Sequence, residues 1–253
     1  MTQAERRMFL IQKLLDEAQQ YHDLSVPQDS VEQKKLLRSL MNVRPPRPIG
    51  ADFLTVQDAY LQEEAARKGV TDIADLTPVE AGIYLWQGDI TTLKCGAIVN
   101  AANRGMTGCY VPCHGCIDNA IHTFSGVQLR LTCEELMEKQ GHEEPTGQAK
   151  LTPAYNLPCD YVLHTVGPII CGRVTRRDRE LLASCYRSCL ELAQRNKIKS
   201  VAFCCISTGE FHFPNEEAAK TAVDTVRRYK RDTEVIFNVF KDEDYEIYRD
   251  LLG

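Results

Sequence analysis

The chain has 253 residues, 43% of them hydrophobic and 26% charged, with a net charge of −5. That size suits one large domain or a domain with an extension, and the composition is that of an ordinary soluble fold. The basic residues are scattered and no apolar run reaches membrane-spanning length, so neither nucleic acid nor a membrane is expected as a partner. Eleven cysteines are an odd number in a long chain. Several fall inside helix-like or strand-like runs, which points to free thiols in a reducing cytoplasm and not to a disulfide framework. The opening Met-Thr-Gln-Ala-Glu-Arg-Arg runs into an amphipathic pattern and does not read as a signal peptide.

Residues 1–79 show helical patterns and no β pattern, and are expected to form an extension packed on a main domain over 80–253. Met8, Leu10, Ile11, Leu14, Leu15 and Ala18 make an apolar stripe at helical spacing. Ser30 and Gln33 predict a capping box for a second helix near 30–43, stopped by Pro45, Pro46 and Pro48. A third helix is expected from about Val56 to Lys68, ending at Gly69. No chemistry is legible in this region.

From Ala81 the texture changes. Short apolar runs at 83–86, 97–99, 161–166, 201–206 and 235–240 have the two-sided character of buried strands. Helical stretches near 117–139, 178–196, 215–230 and 243–252 separate them. The alternation predicts a three-layer α/β/α domain with a mixed central sheet, its ligand crevice at the carboxyl ends of the strands.

The loops expected at that edge carry unusual residues. Gly88-Asp89-Ile90-Thr91 offers a carboxylate that either caps a helix or accepts from an exocyclic amine. Asn100 and Asn103 close the next strand; each amide offers donors and an acceptor to a sugar, or an Asx-turn. Residues 109–116, Cys-Tyr-Val-Pro-Cys-His-Gly-Cys, place four soft ligands in one short loop. Cys109, His114 and Cys116, or Cys113 in place of one of them, are able to close on a zinc and leave its fourth corner open. Ser207-Thr208-Gly209-Glu210-Phe211 precedes a helix, where backbone N–H groups converge on an anion. It matches neither a Walker loop nor a dinucleotide fingerprint. Asp118, two residues past Cys116, is expected to orient a metal-bound His114, with direct base action as the alternative. His164 reads as a core histidine, His122 receives no role, and Arg176, Arg177 and Arg179 read as a solvated helix start.

Gly88-Asp89-Ile90-Thr91, Ile98 to Asn103, Gly147-Gln148-Ala149, His164 to Pro168 and Ile206 to Gly209 occur in macrodomain order. The chain from about residue 80 onward therefore resembles a macrodomain, the ADP-ribose-binding fold. The loop at 108–119 departs from the usual Gly-rich form. With the helical extension, it resembles the zinc-containing macrodomains of microbes, which are protein-ADP-ribose hydrolases. Their Cys-x4-His-x-Cys pattern maps onto Cys109, His114 and Cys116, with Cys113 outside it.

The resemblance implies zinc as cofactor. It also implies a mono-ADP-ribosylated protein as substrate, with a lipoyl-carrier protein modified by a sirtuin-like transferase as a candidate. Asp89 would accept from the adenine amine beside the Ile90 N–H, and Phe240 would stack on adenine. Ser207, Thr208, Gly209, Glu210 and Phe211 would cradle the diphosphate, and Asn103 would orient the distal ribose. Rival expectations are a non-catalytic ADP-ribose reader and a hydrolase of small derivatives such as O-acetyl-ADP-ribose.

Overall fold

Thr2 opens the first helix, α1 (Gln3–Asp16), with a capping box in which its side chain accepts from Glu5 N–H and Glu5 reaches back. The computed structural model describes residues 1–21 and 23–253. Helix α2 (Ser30–Val43) is capped by Asp29, which accepts from the Val31 and Glu32 N–H groups. The expected Ser30–Gln33 box does not form. A carboxylate one residue earlier is a better acceptor, and Gln33 is engaged with Arg7 and the Pro27 carbonyl. Helix α3 (Ala51–Lys68) begins more than a turn before the apolar pattern does, because nothing breaks helix after Pro48, and it ends at Gly69. Leu10, Ile11, Leu37, Leu40, Phe53 and Leu61 pack into a core belonging to the extension, which reaches the main domain at Val127.

The main sheet has six strands: β2 (Ile83–Gln87), β4 (Ala97–Ala101), β5 (Ala149–Pro153), β6 (Tyr161–Thr165), β7 (Ser200–Phe203) and β8 (Glu234–Val239). Their order is β2-β8-β7-β4-β6-β5, parallel throughout except for the antiparallel edge strand β5. The expected mixed sheet is therefore present. Two-residue strands β1 (Thr71–Asp72) and β3 (Leu93–Lys94) pair separately. Neither they nor β5 was expected. Ala-Lys-Leu-Thr-Pro lacks an apolar run, and its proline is tolerated because β5 is an edge. β7 stops at Phe203, so Cys204 to Ile206 already belong to the loop that follows.

The single helix expected near 117–139 is two, α4 (Ile117–Ser125) and α5 (Val127–Gln140), broken at Gly126. Gly126 has φ 102°, and a Cβ there would meet the Gln57 and Gln128 side chains at 2.7 Å. Gln57, fully buried on α3, accepts from the Val127 N–H and so caps α5 from the extension. Helices α6 (Arg176–Arg195), α7 (Asn215–Tyr229) and α8 (Asp242–Leu252) pack side by side. The charge run at the start of α6 is exposed, as expected. Ile98, Val99, Val162, Val201, Ile236 and their neighbours form the core between the layers.

Because β2, β8, β7, β4 and β6 run parallel, the loops after β2, β4, β7 and β8 leave the sheet along one edge. That is where an open α/β sheet binds its ligand. All eleven cysteines are free, and no helix among the described residues is long and apolar enough to cross a membrane.

Candidate active site

Strand β4 delivers the floor of the crevice. Asn100, fully buried, lies opposite His164 in the β4–β6 register. Its Nδ2 donates to Asp118 Oδ1 at 2.8 Å and lies 3.1 Å from His164 Nδ1. Asn100 thus stands beneath the site as a holder of Asp118, instead of lining the sugar pocket as expected. With 0% of its surface exposed, Asn100 does not reach the crevice. Asn103, beyond the strand end, is exposed. Its Oδ1 closes an Asx-turn onto Gly105 N–H, while Nδ2 donates to the Gly108 carbonyl and to Asp118 Oδ2 at 3.4 Å.

Asp118 occupies the first turn of α4 and is 5% exposed. Burial pushes its carboxyl up to about 6, against the Asn100 hydrogen bond and the Arg130 charge. One turn on, His122 places Nε2 3.5 Å from Asp118 Oδ1. Neither ring nitrogen of the buried His122 has a hydrogen-bond partner among the described residues. Gly108, at φ 86°, makes room for that ring, since a Cβ there would lie 2.7 Å from it. Sequence reasoning gave His122 no role, although its spacing of four from Asp118 was a usable signal. His164 is a satisfied core histidine, as expected. Its Nε2 lies 2.9 Å from Thr152 Oγ1, and burial pushes its pKa down to about 3.

Above this floor, Cys109, His114 and Cys116 bring their ligand atoms within 4.8 Å of one another. His114 Nδ1 lies 3.7 Å from Cys109 Sγ. Adjacent corners of a tetrahedral zinc site are about 3.6 Å apart when the Zn–S and Zn–N bonds are about 2.3 and 2.05 Å. The donors present therefore fit that ion. Cys113, at φ 53°, turns its thiol instead toward Ser39 Oγ at 3.3 Å and the Lys35 carbonyl. Cys116 caps α4 by accepting from Asn119 N–H. Burial raises its thiol pKa, with Cys109 adding to the effect; a bound divalent cation would reverse this.

The expected pairing of Asp118 with His114 does not form. Cys116 caps the helix, so Asp118 points under it to Asn100 and His122, while His114 remains on the outer loop. His114 Nε2 instead faces Glu210 Oε1 at 3.5 Å. A residue expected to serve only through its backbone thus joins the loop after β7 to the loop of candidate metal ligands.

In the loop after β7, Ser207 takes φ 68°, and a Cβ on Gly167 would fall 2.0 Å from its Oγ. Phe213 N–H closes onto the Ser207 carbonyl, and Thr208 Oγ1 onto the Cys205 carbonyl. Among the described residues, the Gly209, Glu210 and Phe211 N–H groups donate to nothing in the protein. They precede the amino end of α7, whose dipole favours an anion.

At the far end of the crevice, Asp89 caps the 3-10 turn Ile90–Thr92, accepting from Thr91 N–H and Oγ1. Its second oxygen pairs with Lys68 at 3.1 Å. Burial raises this carboxyl, but Thr91 and Lys68 outweigh it and hold the group below its usual range. Ile90 is buried. Phe240, just past β8, is 75% exposed and free to stack.

A family profile described as Macro domain matches residues 99–222. A protein of Treponema medium named protein-ADP-ribose hydrolase is 58% identical, over 100% of this chain and 100% of its own. The chain belongs to this macrodomain family. A member from Staphylococcus aureus (strain MSSA476), with the same name, is 47% identical over 97% of this chain and 94% of its own. Among solved macrodomains, that of Trypanosoma brucei in complex with ADP-ribose superposes with a TM-score of 0.65 at 30% identity. It covers 85% of this chain and 95% of its own. The macrodomain fold and its order of loops are as the sequence predicts.

Proposed function

We propose that this macrodomain is a zinc-dependent hydrolase that removes mono-ADP-ribose from acidic side chains of modified proteins. The observation that carries this is the convergence of Cys109, His114 and Cys116 beside Asn103, above a buried carboxylate. Those three residues would hold the ion. When bound, it would supply Lewis-acid polarisation of oxygen at the distal ribose.

The chain's own residues do the rest. Asp89 accepts from the adenine amine and Phe240 stacks on the ring. The free N–H groups of Gly209, Glu210 and Phe211 donate to the diphosphate, and Glu210 also orients His114. Asn103 orients the distal ribose at the bond to be cut. Water adds to C1″ and gives its proton to Asp118 Oδ2. The bond from C1″ to the ester oxygen breaks, and the protein side chain leaves as a carboxylate. That leaving group needs no proton, which is why an Asp or Glu ester suits a site whose buried carboxylate, Asp118, is taken up with the proton from water. Asn100 contributes by holding Asp118 in register.

The test is release of free ADP-ribose from a protein carrying it on Asp or Glu. A lipoyl-carrier protein modified by a sirtuin-like transferase is the first substrate to try. Release that scales with zinc content supports the hydrolase. Retention of the modification by zinc-loaded protein that still binds ADP-ribose would make the chain a reader.

A further inference from the structure

The loop that carries the candidate metal ligands has no regular structure, and Tyr110 to Cys113 on its outer side are exposed. A loop of this kind holds three ligand atoms in place only if other elements pin its backbone. Here half of the pins come from the amino-terminal extension. Arg38 of α2 donates from Nη2 to the His114 carbonyl at 3.0 Å. Its guanidinium also grips Asn119 Oδ1, at 3.2 Å from Nε and 2.7 Å from Nη2. Asn119 passes the restraint on, donating from Nδ2 to the Val111 carbonyl at 2.9 Å.

One turn further along α2, Asn42 is 1% exposed. Its Oδ1 accepts from the Cys113 N–H at 2.9 Å, and its Nδ2 donates to Thr123 Oγ1 at 2.9 Å. Arg130 of α5 completes the frame, donating to the Asn42 and Arg44 carbonyls at 2.6 Å and to the Cys109 carbonyl at 3.4 Å. The backbone at Cys109, Val111, Cys113 and His114 is thereby fixed by side chains outside the loop, two of them on a helix some seventy residues upstream.

We infer that α2 is a working part of the metal centre, with Arg38 and Asn42 as positioning residues that pre-organise Cys109, His114 and Cys116 for the ion. This rests on the zinc reading above. Pre-organised ligands lose little freedom when the metal arrives. Loss of an outer restraint on a ligand costs about 10–100-fold in metal affinity. The extension is thus more than a cover on the sheet, contrary to the expectation that residues 1–79 carry no chemistry.

The test uses the full chain with Arg38→Ala and, as control, Lys34→Ala on the same helix. Lys34 pairs with Glu64 of α3 at 2.6 Å and makes no bond to the loop. Zinc affinity is read by competition with a chromogenic chelator, alongside the melting temperature of the metal-free protein and the ADP-ribose dissociation constant. Arg38→Ala should lose about 10–100-fold in zinc affinity, read where the metal-free variant stays folded, and keep ADP-ribose binding. Its metal-free melting temperature should fall below that of Lys34→Ala, because the buried Asn119 Oδ1 loses its donor. Hydrolysis at limiting zinc should fall and return with excess metal. Unchanged zinc affinity in Arg38→Ala, or an equal loss in Lys34→Ala, would overturn the inference alone. A wild-type chain with no zinc affinity would overturn the reading of the site and the inference with it.

Discussion

Two amides three residues apart on one strand end do different work, and the difference is measurable. Asn103 is exposed past the end of β4 and donates to Asp118 Oδ2, so Asn103→Ala should lower turnover on the order of 100-fold, as loss of a positioned donor does, with little change in ADP-ribose affinity. Asn100 holds Asp118 from below. Asn100→Ala should therefore lower turnover and also destabilise the fold by about 1–3 kcal/mol, because it leaves the buried Asp118 Oδ1 without its donor. Thermal melting beside steady-state kinetics separates the two residues; equal melting temperatures would remove the distinction. Asp89 is remote from the bond cut, so Asp89→Ala should weaken binding about tenfold and leave kcat almost intact. A variant that lost kcat instead would take Asp89 out of the adenine subsite. The Glu210 side chain belongs with the metal ligands in this scheme. Glu210→Ala should lower zinc affinity, and Glu210→Gln, which keeps an oxygen facing His114 Nε2, should recover part of it.

Among the elements, the extension reaches the crevice through Arg38 and Asn42 of α2 and through Lys68 at the last turn of α3. Lys68 lies 3.4 Å from the Phe124 ring centroid and pairs with Asp89, each side chain more than a third exposed. An exposed pair of this kind is worth about 0.2–1 kcal/mol. Lys68→Ala should free the carboxylate for adenine and tighten ADP-ribose binding up to about fivefold. Weaker binding would mean that Lys68 itself contacts the ligand. The five apolar strands were legible because two-sided burial writes a continuous apolar run. β5 was not, since an edge strand can be half polar, and the α4–α5 break was hidden because Gly126 looks like any tolerated helix glycine. The site loops were legible as motifs. What stayed hidden were contacts that close over long separations: Arg38 with His114, Glu210 with His114, Lys68 with Asp89. No local pattern encodes which surface a distant helix covers.

At the scale of the whole molecule, two histidines are sealed under the active site. Burial lowers His122 well below its ordinary pKa, with His164 adding, and takes His164 down to about 3. The unfolded chain protonates both below about 6.5, while the fold keeps His164 neutral to about 3. Stability is therefore full above that ordinary value and is lost as pH falls through the window between 6.5 and 3. For His164 alone the loss at pH 5 is about 2 kcal/mol. Urea midpoints taken from pH 7.5 to 4.5 should fall steeply in the wild type and less steeply in His164→Gln, whatever that variant's stability at neutral pH. Parallel slopes would show that other groups govern acid unfolding.

The zinc-dependent mechanism is tested most directly by following one preparation through removal and return of the metal. Wild-type protein carrying one zinc should release ADP-ribose from an Asp- or Glu-modified substrate. After chelation it should bind ADP-ribose as before yet release none, and added zinc should restore the rate. Hydrolysis continuing at the full rate in metal-free protein would contradict the role assigned to Cys109, His114 and Cys116.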